Sequence, residues 1–374
     1  MKAWVFTSRG SPSKVLKLRH DLPQPQRSEL KDDETIVKVS HATLFAPNAR
    51  LMAVFPHFTN SPWIPEIEFS GTIVASGSTE DNTGLEEGDA VFGMMDPKVY
   101  HKYNGVLAEY IVIPTSCIAK KPTACTFAEA SGLSGGGITA TGIAEQAGLL
   151  RVVQDVHGLS IVSQAEGKRI LITAAATGTG LAMLQVMRHL VGKTGTVITT
   201  ASNKSSSLLK ELGANEVIDY KRYHKLHDYL ADKFDKRRFD AIIDIAGTSE
   251  LYSHSPAYLA PDGCFVFAGS ISTTHAEPAT SPLHALLFFL GMLRMIVNFF
   301  LTTHWPVVFG GVPRRGFFHS GQPTARKLEL CRQIAEEGVL RVVVDSVWSM
   351  NDVLQGYKHI DGPILGKVVV SVES

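Results

Sequence analysis

From Lys2 to Ile113 the chain alternates short apolar runs with turn residues. The runs are Lys2–Phe6, Val15–Leu18, Thr35–Val39, Phe69–Ser76, Ala90–Met94 and Leu107–Ile113. Runs of this length, bounded by Gly, Asp, Asn and Pro, predict strands. Gly71, Gly77, Gly84, Gly88 and Gly93 punctuate them where the chain reverses, so the stretch predicts a small closed or half-closed β barrel.

Beyond Cys125 the period lengthens. Thr126 stands three residues before Glu129, a capping box that opens a helix. Strands are predicted at Arg169–Ala174, Thr196–Thr200, Val217–Ile218, Phe239–Ile245 and Cys264–Ala268. Helices fall between them at Leu181–Val191, Ser205–Leu212, closed by Gly213, and Tyr223–Phe234. Strands and helices in this alternation predict a parallel, doubly wound sheet. An amphipathic helix at Ala325–Glu337 and strands at Leu340–Val344 and Lys367–Val372 follow. The tail strands are expected to complete the first domain, giving a discontinuous domain of 1–137 and 312–374 around a parallel-sheet domain of 138–311.

Residues 283–311 break the pattern, being apolar along most of their length. The unbroken core, Ala285–Leu293, ends at Arg294, whereas a spanning helix needs about 20 apolar residues. Three readings stay open: a lid, pocket wall or dimer surface; peripheral membrane attachment; or a membrane span.

Composition narrows the classes. Thirty-six basic residues balance thirty-six acidic ones, so no net field recruits nucleic acid. Cys117, Cys125, Cys264 and Cys331 show no regular spacing, which argues against a disulfide framework. The opening Met-Lys-Ala-Trp-Val-Phe is too short for a secretory apolar region, so a cytoplasmic location is expected.

The candidate chemistry begins where the strand Arg169–Ala174 runs into Ala175-Ala176-Thr177-Gly178-Thr179-Gly180 and then a helix. Small residues let a pyrophosphate approach the backbone, and the N–H groups and positive end of the helix bind it. The next strand leads into Ser202-Asn203-Lys204, without the carboxylate that NAD-preferring sites place there. Lys204 attracts a 2′-phosphate, so NADPH is the expected cofactor. Ser202 and Asn203 also suit the cap of the following helix, and the two roles are compatible.

Nearly the whole chain resembles the medium-chain dehydrogenase/reductase superfamily, in its quinone-reductase branch. The resemblance is carried by Met-Lys-Ala-x-Val-Phe, Phe69-Ser-Gly-Thr-Ile-Val, Glu87-Gly-Asp-Ala-Val-Phe-Gly, Leu107-Ala-Glu-Tyr, Leu212-Gly-Ala-Asn-Glu-Val-Ile-Asp-Tyr and Gly366-Lys-Val-Val-Val. It implies an α/β protein with a GroES-like β-barrel domain, a Rossmann doubly wound parallel sheet and an active site in the cleft between them. It also implies that Tyr220 lies near the adenosine phosphate, that Thr139 faces the nicotinamide, and that Gly269 and Ser270 fall near the cofactor.

The chain departs from that family in several places. Zinc-dependent members carry ligands where this chain has Phe45, Ile67 and Glu68, and the four-cysteine lobe is missing at Asp96–Asn104, so no metal is expected. His224-x-x-His227 has helical ligand spacing but no partners. Phe45-Ala-Pro-Asn48 replaces an Asn-Pro-x-Asp stretch, Glu66 replaces a common Gly, and Phe55 stands where enoyl reductases use a Tyr proton donor. Extra sequence between Leu149 and Gly167, together with 283–311, suggests a bulky apolar substrate.

The leading expectation is hydride transfer from NADPH to a quinone or an activated alkene, with Thr139, Asn48 and Tyr103 as candidate catalytic residues and solvent as a proton source. A redox-neutral isomerase or cyclase and a non-catalytic NADPH-binding protein docked on a membrane or partner are the alternatives. Gly132-Leu-Ser134-Gly-Gly136 fits a serine-hydrolase elbow, but the residues before it read as helix rather than strand. The oligomeric state stays open; the resemblance implies that a homodimer would pair through an edge strand of the Rossmann sheet, with Cys264–Ala268 as the candidate seam.

Overall fold

Glu34–Leu44 organises the first part of the chain because both its faces are covered, with nine of its eleven residues buried. Its first half pairs antiparallel with Tyr110–Pro114 and its second half with Lys367–Ser371, while Glu68–Ser76 lies along its other edge. Register shifts between Ile36 and Val37 and between Val39 and His41 bend it, as bulges do. The computed structural model describes residues 1–54, 62–77, 84–98, 104–155, 158–268, 282–319 and 321–373.

The chain divides into two units. The first contains Met1–Ile138 and Gly321–Ser374. Its seven-stranded sheet includes Val344–Ser349 and Lys367–Ser371, so the tail does complete this unit. Val37, Val39, Phe69, Ile73, Val91, Val368 and Val370 pack in its core against Val353, Tyr357 and Ile360. Two sequence expectations shift here. Pro12–Val15 is a short helix, because Pro12 suits a first helical turn, and the strand begins only at Lys17. Leu340 donates its amide to Ile334 O, closing a helix end, and the strand expected at Leu340–Val344 starts at Val344 instead.

The second unit contains Thr139–Glu277 and Ser281–Ser320. Its sheet has six strands among the described residues, in the order Glu216–Asp219, Thr196–Ala201, Arg169–Ile172, Phe239–Asp244, Leu259–Phe267, Arg315–Phe318, all parallel. The chain therefore starts in the middle at Arg169–Ile172, builds outward on one side, then crosses to the other. That crossing is a topological switch point. The edge strand Arg315–Phe318 corrects two expectations. It keeps residues 312–320 in this unit rather than returning the chain to the first at 312. It also covers Leu259–Phe267 on its outer side, so a seam at Cys264–Ala268 is ruled out, since no free edge is left there.

The segment Leu150–Ser163 forms an antiparallel hairpin, Leu150–Asp155 with Gly158–Ser163. Pro282–His304 is one helix, followed by a turn at Val307–Phe309. Leu286, Leu290, Leu293, Ile296, Val297 and Phe300 of this helix are exposed. Among the described residues, no helix is long and apolar enough to cross a membrane.

Candidate cofactor site and active site

The loop after Arg169–Ile172 is shaped by a left-handed backbone at Ala174, φ 48°, and by Gly180. A Cβ on Gly180 would lie 2.5 Å from Ala174 O and 2.7 Å from Ala175 Cα, so only glycine lets the helix start this close to the strand. Thr177 caps the helix Gly178–Val191: its hydroxyl donates to Ala174 O at 2.9 Å and accepts from the Gly180 amide at 3.1 Å. The amides of Gly178 and Thr179 belong to the first helical turn and have no intrahelical acceptor. Ala175 is fully buried and donates its amide to Thr200 O at 3.1 Å, so its part is packing beneath the loop rather than donating outward.

Neighbouring strands carry the remaining candidates to the same sheet edge. Ile172 is in register with Thr199, and Ala201 with Asp219. Ser202 and Lys204 thus follow the end of the second strand, and Tyr220 follows the end of the third. Ser202 occupies an N-cap position but its side chain makes no capping bond, which leaves the hydroxyl available to a ligand. Lys204 is exposed and in no ion pair among the described residues. Tyr220 is 46% exposed. A glycine cradle at a helix start, a cation and an exposed ring at adjacent strand ends fit a nicotinamide dinucleotide.

Thr173 and Asp244, which sequence reasoning missed, hold this edge together. The Thr173 hydroxyl donates to Asp244 Oδ1 at 2.6 Å and accepts from the amides of Ile245 and Ala246. Asp244 also accepts from the Thr248 amide at 2.7 Å. Burial pushes its carboxyl pKa up, while these hydrogen bonds oppose the rise. An acidic residue closing a buried strand beside the switch point was the available signal.

Within the first unit, Asn48 lies in the helix Ala46–Val54 and donates its amide nitrogen to Glu66 Oε2 at 2.9 Å. The Phe45 amide donates to the same oxygen at 3.1 Å, and the Tyr357 hydroxyl donates to Oε1 at 2.5 Å. Glu66 is fully buried with φ 70°, and burial pushes its pKa up to about 8. Glu68 stands where zinc members carry a ligand, but it meets Lys367 Nζ at 2.9 and 3.0 Å and accepts from the Gly135 amide at 3.1 Å. Its oxygens are therefore committed to the core.

Thr139 is half-buried in the helix Leu133–Gln146 and belongs to the second unit, apart from Asn48 in the first. Tyr103, Gly269, Ser270 and Phe55 lie outside the described residues. Two other motifs dissolve. Ser134 is buried in the first turn of its helix and donates to Gly93 O at 3.0 Å, which excludes a nucleophile elbow. His224 precedes the helix Leu226–Phe234 while His227 is buried and stacked on His254, so the two do not share a helical face.

Comparison with known proteins agrees with this geometry. Residues 31–123 match the family described as alcohol dehydrogenase GroES-like domain, and residues 178–306 match zinc-binding dehydrogenase. A trans-enoyl reductase of Penicillium oxalicum is 32% identical over all of this chain and 98% of its own length. An NADPH-dependent alkenal/one oxidoreductase of Arabidopsis thaliana is 32% identical over 65% of this chain and 57% of its own. The quinone oxidoreductase structure from Coxiella burnetii superposes with a TM-score of 0.72 at 24% identity, covering 100% of this chain and 99% of that one.

Proposed function

The chain belongs to the medium-chain dehydrogenase/reductase superfamily, in its quinone- and enoyl-reductase-like branch, and is an oxidoreductase; from that premise we propose that it reduces an activated alkene, an α,β-unsaturated carbonyl, or a quinone, with NADPH. The observation that carries the cofactor half is the sheet edge at the switch point, where a glycine cradle stands beside Lys204 and an uncommitted Ser202, with no carboxylate between them. The names of the Penicillium and Arabidopsis relatives support an alkene as substrate.

The bound cofactor supplies a hydride, in this reading to the β-carbon of the alkene. The chain's own groups do the rest. The amides of Gly178 and Thr179 and the helix start hold the pyrophosphate. Lys204 and Ser202 hold the 2′-phosphate by charge-assisted hydrogen bonds. Tyr220 lies against the adenosine and Thr139 faces the nicotinamide, both as the resemblance implies. The Asn48 amide stabilises charge developing on the carbonyl oxygen. Solvent delivers the proton to the α-carbon, because neither Thr139 nor Asn48 is an acid of useful strength. Gly269, Ser270 and Tyr103 keep their proposed places on the resemblance alone, and a bulky apolar substrate remains part of the proposal.

The test is to follow NADPH oxidation with a panel of enones and quinones and to identify the product by mass. Net uptake of two hydrogens across the alkene is the expected result. Substrate conversion with NADPH unchanged would point instead to isomerisation.

A further inference from the structure

Two glutamates stand two residues apart where the strand Glu68–Ser76 begins, both removed from water, and the fold treats them oppositely. Glu68 is given a cation, Lys367. The hydrogen-bond partners of Glu66 among the described residues are an amide N–H, an asparagine and a tyrosine hydroxyl, all neutral. Its backbone lies in the left-handed region, which glycine enters without cost, so a carboxyl side chain is accommodated here against the backbone's preference. Strain of this kind, coupled to a buried polar group, marks functional positions more than core packing.

A buried carboxyl without a cation favours its neutral form. Burial is the main cause of its raised pKa; the hydrogen bonds from Tyr357, Asn48 and Phe45 oppose the rise, and the negative charge of nearby Glu68 adds to it last. Among the described residues, the groups acting on it are the Tyr357 hydroxyl from the helix Val353–Ile360, the Asn48 amide from the helix Ala46–Val54, the Phe45 amide, and Glu68, itself paired with Lys367. In the neutral acid the contact with Tyr357 reverses, the Oε1–H donating to the Tyr357 hydroxyl oxygen, while Oε2 still accepts from Phe45 and Asn48.

We propose that Glu66 is a protonated carboxylic acid that serves as the positioning residue for Asn48, fixing the asparagine amide through Oε2 while placing no negative charge behind it. The proposal rests on the reading of Asn48 as the group facing the substrate carbonyl. A neutral acid there holds the amide by a weaker bond than a carboxylate would, but it does not repel the negative charge that hydride transfer leaves on the substrate oxygen. When Glu66 ionises, that repulsion appears and turnover slows.

The experiment uses the full chain with Glu66→Gln, Glu66→Leu and Asn48→Ala, from about pH 6 to about pH 10. Infrared difference spectra read the carbonyl stretch of a protonated carboxyl, and NADPH-dependent enone reduction gives kcat and KM. In the wild type the infrared band should vanish as pH rises through about 8, and kcat should fall with it. Glu66→Gln, a neutral isostere, should lack the band, keep kcat within about threefold and lose the alkaline fall. Glu66→Leu and Asn48→Ala should each lower kcat about tenfold or more, with smaller effects on KM. Absence of the band near neutral pH, or a Glu66→Gln kcat as low as that of Glu66→Leu, overturns the proposal. Normal turnover in Asn48→Ala overturns the positioning role. A wild type that reduces no alkene removes the reaction and the positioning role together, while the band still decides whether Glu66 holds its proton.

Discussion

Removing the Lys367 ammonium, as in Lys367→Met, leaves Glu68 buried, its carboxylate still accepting from the Gly135 amide but stripped of its cation. Breaking a buried pair from one side costs about 3–5 kcal/mol, and the midpoint of thermal unfolding should drop by roughly 10 °C. An unchanged midpoint would mean that Glu68 is solvated or neutral. Glu66 gives a pH-dependent counterpart. The folded chain keeps its proton to about pH 8, whereas an ordinary glutamate loses it near 4.5, so folding takes up a proton between those values. Stability therefore falls with rising pH across that window, by about 1.4 kcal/mol per pH unit at most, and is level above it. Denaturant unfolding of Glu66→Gln should lack that slope, and a slope equal to the wild type's would assign it to another group. At this scale the sequence was legible only where partners are close along the chain. Thr177 and Gly180 are readable three residues apart, but the partners of Glu66 lie 18, 21 and 291 residues away. Sequence marked Glu66 only as a departure from a family glycine, and Asp244 only as an acid closing an apolar strand, because the value of each depends on donors assembled by the fold.

Gly180 joins residue to element. In Gly180→Ala the new methyl meets backbone atoms at 2.5 and 2.7 Å, so the first turn of the helix must move off the strand. Nucleotide affinity should fall about tenfold or more and stability by about 1–3 kcal/mol. Wild-type NADPH affinity in this variant would show that the cradle is not where the nucleotide sits. The helix Pro282–His304 carries the opposite expectation. Leu290 and Leu293 are about half exposed, so Leu290→Gln with Leu293→Gln should move the thermal midpoint by no more than about 2 °C. A large drop would reveal that the face is covered in the native assembly. Elements of the parallel sheet were readable because strand and helix alternate, with a clear stop at Gly213, at positive φ. The tail was less so: apolar Leu340 closes a helix rather than entering the sheet, and hydropathy does not distinguish the two uses.

For the molecule as a whole, fold and family were legible from ordered motifs spread along the chain, and the matched residues 31–123 and 178–306 fall in the β-rich and parallel-sheet parts. The outer edge of the parallel sheet was not legible, because Arg315–Phe318 follows the long apolar helix and is short and half-buried, lacking the apolar run that marks inner strands. The proposed function turns on the nucleotide that the sheet edge accepts. Fluorescence titration of the wild type and Lys204→Ala with NADPH and with NADH tests this directly. The expected result is tight, saturable NADPH binding, weaker NADH binding, and a loss in Lys204→Ala of about tenfold for NADPH with little change for NADH. Equal affinity for both nucleotides, or an equal loss for both in the variant, would contradict the assignment of Lys204 to the 2′-phosphate. No binding of either by the folded protein would contradict the cofactor site itself.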